Sequence, residues 1–350
     1  MVKTQIFDLK DKNIYEEAMT AAADAIRAGK TVVFPTETVY GIGANAYDNA
    51  AVKKIFEAKG RPSDNPLIIH LADTSQIHEA AAGMPEDAFV LAERFMPGAL
   101  TLVLEKNPKI ADAACAGLST AAVRIPDNEY ARDLIRRAGV PVAAPSANIS
   151  GKPSPTRPEH AVHDMDSRAD VILLGDSCRI GLESTIIDCT VRPFVLLRPG
   201  GIGTESLSEY AEIAQNQQTA SGQPKAPGMK YAHYKPDAYV TALDADAQSC
   251  IDYINEKESE GSCSAALIFD EYSGAAKIKH EMLLGNFSDT ESSASRLFDL
   301  LRQCDELKAE KIYVMCPPDT GLGRAFRNRL FKAADEIIGA EQMKAGKQSK

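Results

Sequence analysis

Apolar residues recur at Ile14, Ala18, Ala21, Ala22, Ala25 and Ile26, a helical spacing that Gly29 is placed to stop. Thr31–Phe34 then reads as a strand closed by Pro35, and Ala50–Ala58 as a short helix. Pro66–Leu71 has the look of a buried strand, and Pro85–Phe95 of a helix with proline at its start. Short, partly β-branched runs follow at Thr101–Leu104, Ala121–Ile125, Val140–Ala144, Val171–Leu174, Thr185–Asp188 and Phe194–Leu197. A helix at Glu129–Ala138 separates two of them. The elements alternate without a uniform repeat, which predicts a mixed α/β sheet up to about Ala214.

The pattern changes after that. Gln215–Lys225 is polar and reads as a linker. From Ala238 onward the order becomes regular: strands at Tyr239–Leu243, Ser264–Phe269 and Lys311–Met315, helices at Ala245–Lys257, Ser288–Cys304 and Leu322–Ile338, and a short strand near Met282. That order predicts a smaller, open, Rossmann-like α/β domain with βαβ crossovers. We therefore divide the chain into a first domain (1–214), a linker (215–237), a second domain (238–341) and a polar tail (342–350).

Composition narrows the class. The chain has 350 residues, more than one core usually holds, which agrees with two domains. A net charge of −10 argues against a broad nucleic-acid surface but permits a local basic cleft. The seven cysteines include no CxxC pair, so a disulfide framework is not expected. The start of the chain lacks an apolar signal core and no run approaches the roughly 20 residues of a membrane span. These features predict a cytoplasmic protein without a membrane segment.

Candidate chemistry lies in two loops. Lys59-Gly60-Arg61 ends a helix and runs into Pro62-Ser63-Asp64-Asn65-Pro66. Cations belong at a helix C-terminus in any case, but a loop stiffened by two prolines can also aim them at phosphate or carboxylate. Pro145-Ser146-Ala147-Asn148 follows a strand directly, where an α/β sheet usually binds ligands, although an ordinary turn has the same composition. Arg124 and Arg198 lie at strand ends. If the sheet gathers Lys59, Arg61, Arg124 and Arg198, an acidic protein gains a cationic pocket for a triphosphate and a carboxylate. His70 interrupts an apolar strand, and both a satisfied core histidine and a site residue fit there. The remaining signals read as structural: Gly41-Ile42-Gly43-Ala44-Asn45-Ala46 is a coincidental dinucleotide fingerprint, Gly200–Gly203 a turn, and His160 with His163 an exposed helical turn.

In order along the chain, Pro35-Thr36-Glu37-Thr38-Val39-Tyr40-Gly41, Lys59-Gly60-Arg61-Pro62, Pro145-Ser146-Ala147-Asn148, Glu183-Ser184-Thr185 and Arg198-Pro199-Gly200 resemble the threonylcarbamoyl-AMP synthase family. The resemblance spans essentially the whole chain and matches the longer, two-domain form. It implies a twisted mixed sheet with a concave basic cavity. It also implies a nucleotidyltransferase reaction: L-threonine, bicarbonate and ATP, with Mg²⁺ on the phosphates, give threonylcarbamoyl-AMP and pyrophosphate. A separate transferase then uses the product to modify tRNA beside the anticodon, with room for a weak direct tRNA contact. Carried over by position, Thr38, His70, Arg124, Ala144 and Ser184 would hold threonine. Arg61, Asn65, Thr120, Ser146, Ser154 and Arg198 would hold ATP, with Lys59 and Asn148 near the phosphates. Tyr234 would close over the nucleotide as part of a lid. Ala226 and Lys235 depart from the family's usual linker pattern.

Two rival functions share parts of this pattern. A carbamoyltransferase of the hydrogenase-maturation type would carry CxxC zinc motifs, which this chain lacks. A non-enzymatic RNA clamp would not require Lys59, Arg61, Ser146 and Asn148 together. On this reading, Lys59→Ala and Arg61→Ala keep the fold and lose turnover.

Overall fold

The computed structural model describes residues 2–215, 233–258 and 263–343. The chain divides into two units, Met1–Ser150 with Ser154–Tyr231, and Gly151–Pro153 with Ala232–Lys350. Residues 216–232 of the expected linker and 344–350 of the expected tail lie outside the described residues.

The first unit's strands are β1 (Gln5–Asp8), β2 (Val32–Phe34), β3 (Gly41–Asn45), β4 (Ile68–His70), β5 (Leu100–Glu105), β6 (Thr120–Arg124), β7 (Val142–Ala144), β8 (Val171–Leu174), β9 (Thr185–Asp188), β10 (Phe194–Arg198) and β11 (Ile213–Gln215). Its helices are α1 (Tyr15–Arg27), α2 (Asn49–Lys59), α3 (Ile77–Ala80), α4 (Glu86–Phe95), α5 (Glu129–Ala138), α6 (Pro158–Met165) and α7 (Thr204–Ser208). The strands form one mixed sheet in the order β1-β8-β2-β3-β7-β4-β6-β5-β9-β10-β11.

Helix boundaries follow from capping. The Asp48 carboxylate accepts from Ala50 N and Ala51 N at the start of α2, and Gly60 takes the left-handed conformation (φ 62°) at its end. Lys59 is thereby held at the last helical position. Asn128 and Gly139 (φ 69°) delimit α5 in the same way.

The sheet has two differently covered faces. Side chains alternate along each strand, so cross-strand partners share a face. Val33, Ile42, Ile69 and Val123 point into the larger core, which receives α2 and α4. Val32, Phe34, Val142 and Ala144 point the other way, under α1 and α5. Further along that second face the apolar content shrinks to Ile68, Val103, Ala122 and Ile186, with Leu197 against them. Among the described residues no apolar helix side chain joins this small cluster. A sparsely apolar stretch of sheet face thus lies beside a well-packed one.

The second unit contains β12 (Tyr239–Asp244), β13 (Ser264–Ile268), β14 (His280–Leu283), β15 (Lys311–Met315) and β16 (Glu336–Gly339), with α8 (Ala247–Glu258), α9 (Thr290–Glu306) and α10 (Gly321–Ala333). All its strand pairs are parallel, in the order β14-β13-β15-β12-β16, as a chain of βαβ crossovers requires. The expected helix Leu322–Ile338 is corrected here: it stops at Ala333, Ala334 is extended (ψ 138°), and β16 pairs with β12. Four strands or helices were also absent from the sequence reading: β1, β3, β11 and the short α3. Among the described residues no helix is long and apolar enough to cross a membrane.

The α2 cap offers a check on this local account. Asp48→Ala leaves two amide donors without their acceptor and is expected to destabilise the first unit by about 1 kcal/mol. A fall in the urea midpoint at unchanged slope would register it; an unchanged midpoint would contradict the assignment.

Candidate active site

The loop Pro35–Tyr40 between β2 and β3 is the centre of the first unit's polar network. The Thr36 hydroxyl donates to Val39 O (2.6 Å), lies 2.8 Å from the Thr38 hydroxyl, and receives the Thr38 and Val39 amides. This local ring of hydrogen bonds is why a Thr-Glu-Thr run forms a rigid loop here. The loop is also stitched outward. Tyr40 N donates to Pro155 O, Ala147 N donates to Tyr40 O, Ile42 N donates to Pro145 O, and Ile180 N donates to Glu37 O.

Lys59 joins α2 to the Pro145–Asn148 segment. It is 1 % exposed. Its ammonium donates to Ser146 O, to Asn148 O at 2.5 Å, and to Asn148 Oδ1 at 3.3 Å. A lysine has three N–H donors, and these three acceptors use them. The Ser146 hydroxyl donates to Asn148 Oδ1 (2.5 Å), the Asn148 amide donates to Ile149 O (2.8 Å), and Ser150 N returns to Lys59 O (2.9 Å). The structure thus brings Lys59, Ser146 and Asn148 together, with lysine shaping the turn that carries the other two. Removing it would leave buried acceptors unsatisfied. The expectation that Lys59→Ala keeps the fold is therefore revised.

Arg61 lies just beyond Gly60 and reaches Asn65 O and Pro66 O at 3.4 Å. Asn65 is 1 % exposed, yet neither atom of its side-chain amide has a hydrogen-bond partner among the described residues. A buried amide in that state calls for an explanation, and a ligand is one.

The second face of the sheet carries most of the other predicted residues. His70 is paired with Arg124 across β4 and β6, and Ile68 with Ala144 across β4 and β7. Thr120 lies two and four residues before Ala122 and Arg124 on β6, on the same face. Thr101 is opposite Ile186, and its hydroxyl lies 2.8 Å from that of Ser184. Arg198 reaches this face through an irregularity: the β9–β10 register shifts between Leu196 and Arg198, so that Arg198 pairs with Ile186. Its guanidinium donates to Ser184 O at 3.0 and 3.1 Å and to Ser184 Oγ at 3.3 Å. Gly200 packs where an added Cβ would come within 2.2–2.4 Å of the Glu183–Thr185 backbone. Ser154 Oγ donates to Glu183 Oε1 at 2.7 Å.

Two charge states on this face have clear physical causes. His70 is 4 % exposed, its Nδ1 lies 3.1 Å from Ile68 O, and its pKa is pushed down to about 3, first by burial and then by Arg124. It is a neutral imidazole at neutral pH. Arg124 donates through Nε to Gly98 O (3.2 Å) and places Nη2 2.7 Å from Glu37 Oε1. Both side chains are almost wholly buried. Arg124, expected to meet a substrate carboxylate, thus already faces one from the chain itself. Glu37 carries no role in the sequence reading, although a lone acid between two threonines in a motif loop was the available signal.

Tyr234 belongs to the second unit. It has φ 68°, is 5 % exposed, stacks on Phe298 (5.0 Å, 28°), and has the Arg329 guanidinium 5.9 Å from its ring centre. Its neighbour Lys235 pairs with Asp335. Ala226 lies outside the described residues.

Other motifs resolve simply. Gly41 and Gly43 lie within β3, where a Cβ on Gly43 would approach Val142 to 2.5 Å and Phe34 to 2.9 Å, so packing explains that glycine. His160 is corrected from exposed to buried, with Thr156 N 3.4 Å from its Nδ1. Among the described residues no group of three His, Cys, Asp or Glu could hold a metal ion.

Against known proteins, a family model covering Sua5, YciO and YrdC proteins, described as telomere recombination, matches residues 24–200. A second, described as the C-terminal domain of threonylcarbamoyl-AMP synthase, matches residues 202–335. The threonylcarbamoyl-AMP synthase of Bacillus subtilis is 44% identical over 89% of this chain and 92% of its own length. That of Pyrococcus abyssi is 43% identical over 95% of this chain and 98% of its own. A crystal structure of P. abyssi Sua5 complexed with L-threonine has a TM-score of 0.88 at 42% identity, covering 96% of this chain and 99% of that one.

Two measurements test the site's physics. Lys59→Ala is expected to cost about 3 kcal/mol through its unsatisfied acceptors, seen as a lowered melting temperature. An unchanged melt would return Lys59 to a purely functional role. For His70, the folded pKa lies below the unfolded value near 6.5, so the unfolded chain takes the proton first. Its contribution to stability is present above about pH 6.5 and falls by about 1.4 kcal/mol per pH unit toward pH 3. Melts of wild type and His70→Asn across pH 7 to 4 should diverge by that slope; parallel curves would refute it.

Proposed function

This chain belongs to the threonylcarbamoyl-AMP synthase family, and we propose that it makes L-threonylcarbamoyl-AMP from L-threonine, bicarbonate and ATP with release of pyrophosphate. The observation that carries the reading is the convergence of His70, Arg124, Ala144, Thr120, Ser184 and Arg198 on one face of the sheet. In the P. abyssi relative the bound ligand is L-threonine. A neutral His70 beside Arg124 suits a small zwitterion with a hydroxyl, since the imidazole can exchange a hydrogen bond without adding charge.

In this reading Arg124 draws the threonine carboxylate, while Thr38, His70, Ser184 and the backbone of Ala144 enclose the rest. Arg61, Asn65, Thr120, Ser146, Ser154 and Arg198 take ATP, the free amide of Asn65 providing a donor and an acceptor. The amine and bicarbonate form a carbamate, whose oxygen attacks the α-phosphorus as pyrophosphate leaves. No covalent bond to the protein is needed, so the residues act by positioning and by balancing charge. Mg²⁺ would arrive on the triphosphate, because no three-residue acidic or histidine cluster offers it a cage among the described residues.

The product is a labile mixed anhydride, which supports direct consumption by a transferase acting on tRNA. The seven cysteines are free thiols, in keeping with a reducing, cytoplasmic setting.

The test is pyrophosphate release from ATP, which is expected to need threonine and bicarbonate together. Release without threonine, or salt-sensitive RNA binding without turnover, would overturn the proposal. Arg61→Ala should keep the wild-type melt and lose at least about a hundredfold in turnover.

A further inference from the structure

We propose that Glu37 receives the ammonium group of threonine and removes its proton, acting as the general base for carbamate formation. This deepens the threonine-site reading and rests on it.

The geometry singles Glu37 out. A buried acid next to a buried arginine would ordinarily use its oxygens in aligned hydrogen bonds. Here Oε1 lies 2.7 Å from Arg124 Nη2 in an ion pair that is not aligned as a hydrogen bond, and apart from that contact no donor among the described residues reaches either carboxylate oxygen. The side chain is 3 % exposed, so the carboxylate is held in the interior of the first unit. An ionised carboxylate can accept several hydrogen bonds, and this one has capacity in reserve. It is also held in place. Ile180 N donates to the Glu37 carbonyl at 2.8 Å, and the Thr36 hydroxyl closes the loop on both sides of it.

The ligand's chemistry matches that arrangement. A free α-amino acid carries a carboxylate and an ammonium on the same carbon. Arg124 and Glu37 present the opposite charges at an equally short spacing. A substrate carboxylate set against Arg124 beside Glu37 would bring the attached ammonium to Glu37 and give it further donors.

Proton balance then assigns the role. The ammonium gives one proton to Glu37, leaving a neutral amine and a neutral carboxyl. The amine nitrogen bonds to the bicarbonate carbon. A C–O bond breaks, and water departs with the bicarbonate hydroxyl and one nitrogen proton, leaving the carbamate anion. The proton on Glu37 returns to solvent as products leave. Arg124, Cys178 and His70 are ionisable groups that bear on this step. Arg124 on β6 faces the carboxylate directly. Cys178, after β8, is buried and has its thiol pushed up by burial and then by Glu37, so it stays protonated. His70 on β4 feels Arg124 and stays neutral. None of them offers a competing base with a net negative charge.

The experiment is pyrophosphate release by the full chain with ATP, bicarbonate and threonine, measured from pH 6.5 to 9 for wild type, Glu37→Gln and Glu37→Asp. The Gln variant is expected to be at least about a hundredfold slower at pH 7. Its rate should climb about tenfold per pH unit, following the neutral fraction of threonine's own amine, while wild type climbs less. The Asp variant, with the carboxylate drawn back by one methylene, should be slower but keep the wild-type profile. A Gln variant within about threefold of wild type, or a Gln profile parallel to wild type, overturns the proposal. If Gln does not fold by thermal melt, the Asp variant decides: wild-type speed overturns the role. Wild-type release that ignores threonine would instead sink the reading of the site, independently of either variant.

Discussion

One buried ammonium holds the first unit's polar architecture in register. Lys59 Nζ, at the carbonyl end of α2, gathers three oxygens from Ser146 and Asn148. Taking a charge out of water is unfavourable unless every donor is used, and the three-fold geometry of an ammonium suits three converging oxygens better than a planar guanidinium would. The turn held by Lys59 carries Ala147, whose amide fixes Tyr40, and Tyr40 ends the loop that presents Glu37. Glu37 then reaches Arg124 at 2.7 Å. A single chain of contacts therefore runs from a helix terminus to the sheet face, and displacing its first link would be felt at its last.

The second constraint is the two-residue period of the strands. It explains why residues far apart in sequence converge. His70, Arg124, Ala144 and Thr101 need only sit at the right parity on neighbouring strands, and the cross-strand pairs His70–Arg124 and Ile68–Ala144 do the rest. Parity within each strand was legible in the sequence, but strand order was not, because it depends on pairings such as β4 between β7 and β6 that join distant segments. Arg198 was legible as a strand-end cation and illegible as a member of this face. Simple alternation assigns it to the opposite side, and the shift after Leu196 reverses that.

The remaining misses share a cause. Ala333-Ala334-Asp335-Glu336-Ile337-Ile338 continues a helical pattern, and local propensity alone favours continuing α10. The observed strand exists because β12 has an unpaired edge, and Thr241 through Asp244 take up Glu336 through Gly339. Likewise β1 has mostly exposed side chains and little apolar signal, and only its parallel pairing with β8 makes it a strand. Gly41–Asn45 stands out in the sequence only as a coincidental dinucleotide fingerprint, yet close packing against Phe34 and Val142 is what its glycines permit. Helices with caps and strands with apolar runs were legible; elements created by a neighbour were not.

The charge pattern changes how anion binding should be understood here. The sequence points to a pocket of four bare cations. In the folded chain Arg124 faces Glu37, His70 is neutral, and Lys59 is engaged with carbonyl oxygens. On the proposed reading, a carboxylate brought to Arg124 meets an arginine that already has an anionic neighbour, and its binding free energy is the difference between two ion-pair arrangements. An anion alone would crowd Glu37 and bind poorly. A zwitterion brings its own cation and relieves that crowding, so the internal acid favours amino acids over simple carboxylates. On that proposal, selectivity of this kind needs no additional contact to the side chain; it follows from placing Glu37 within reach of Arg124 and leaving its carboxylate oxygens to accept from the ligand ammonium.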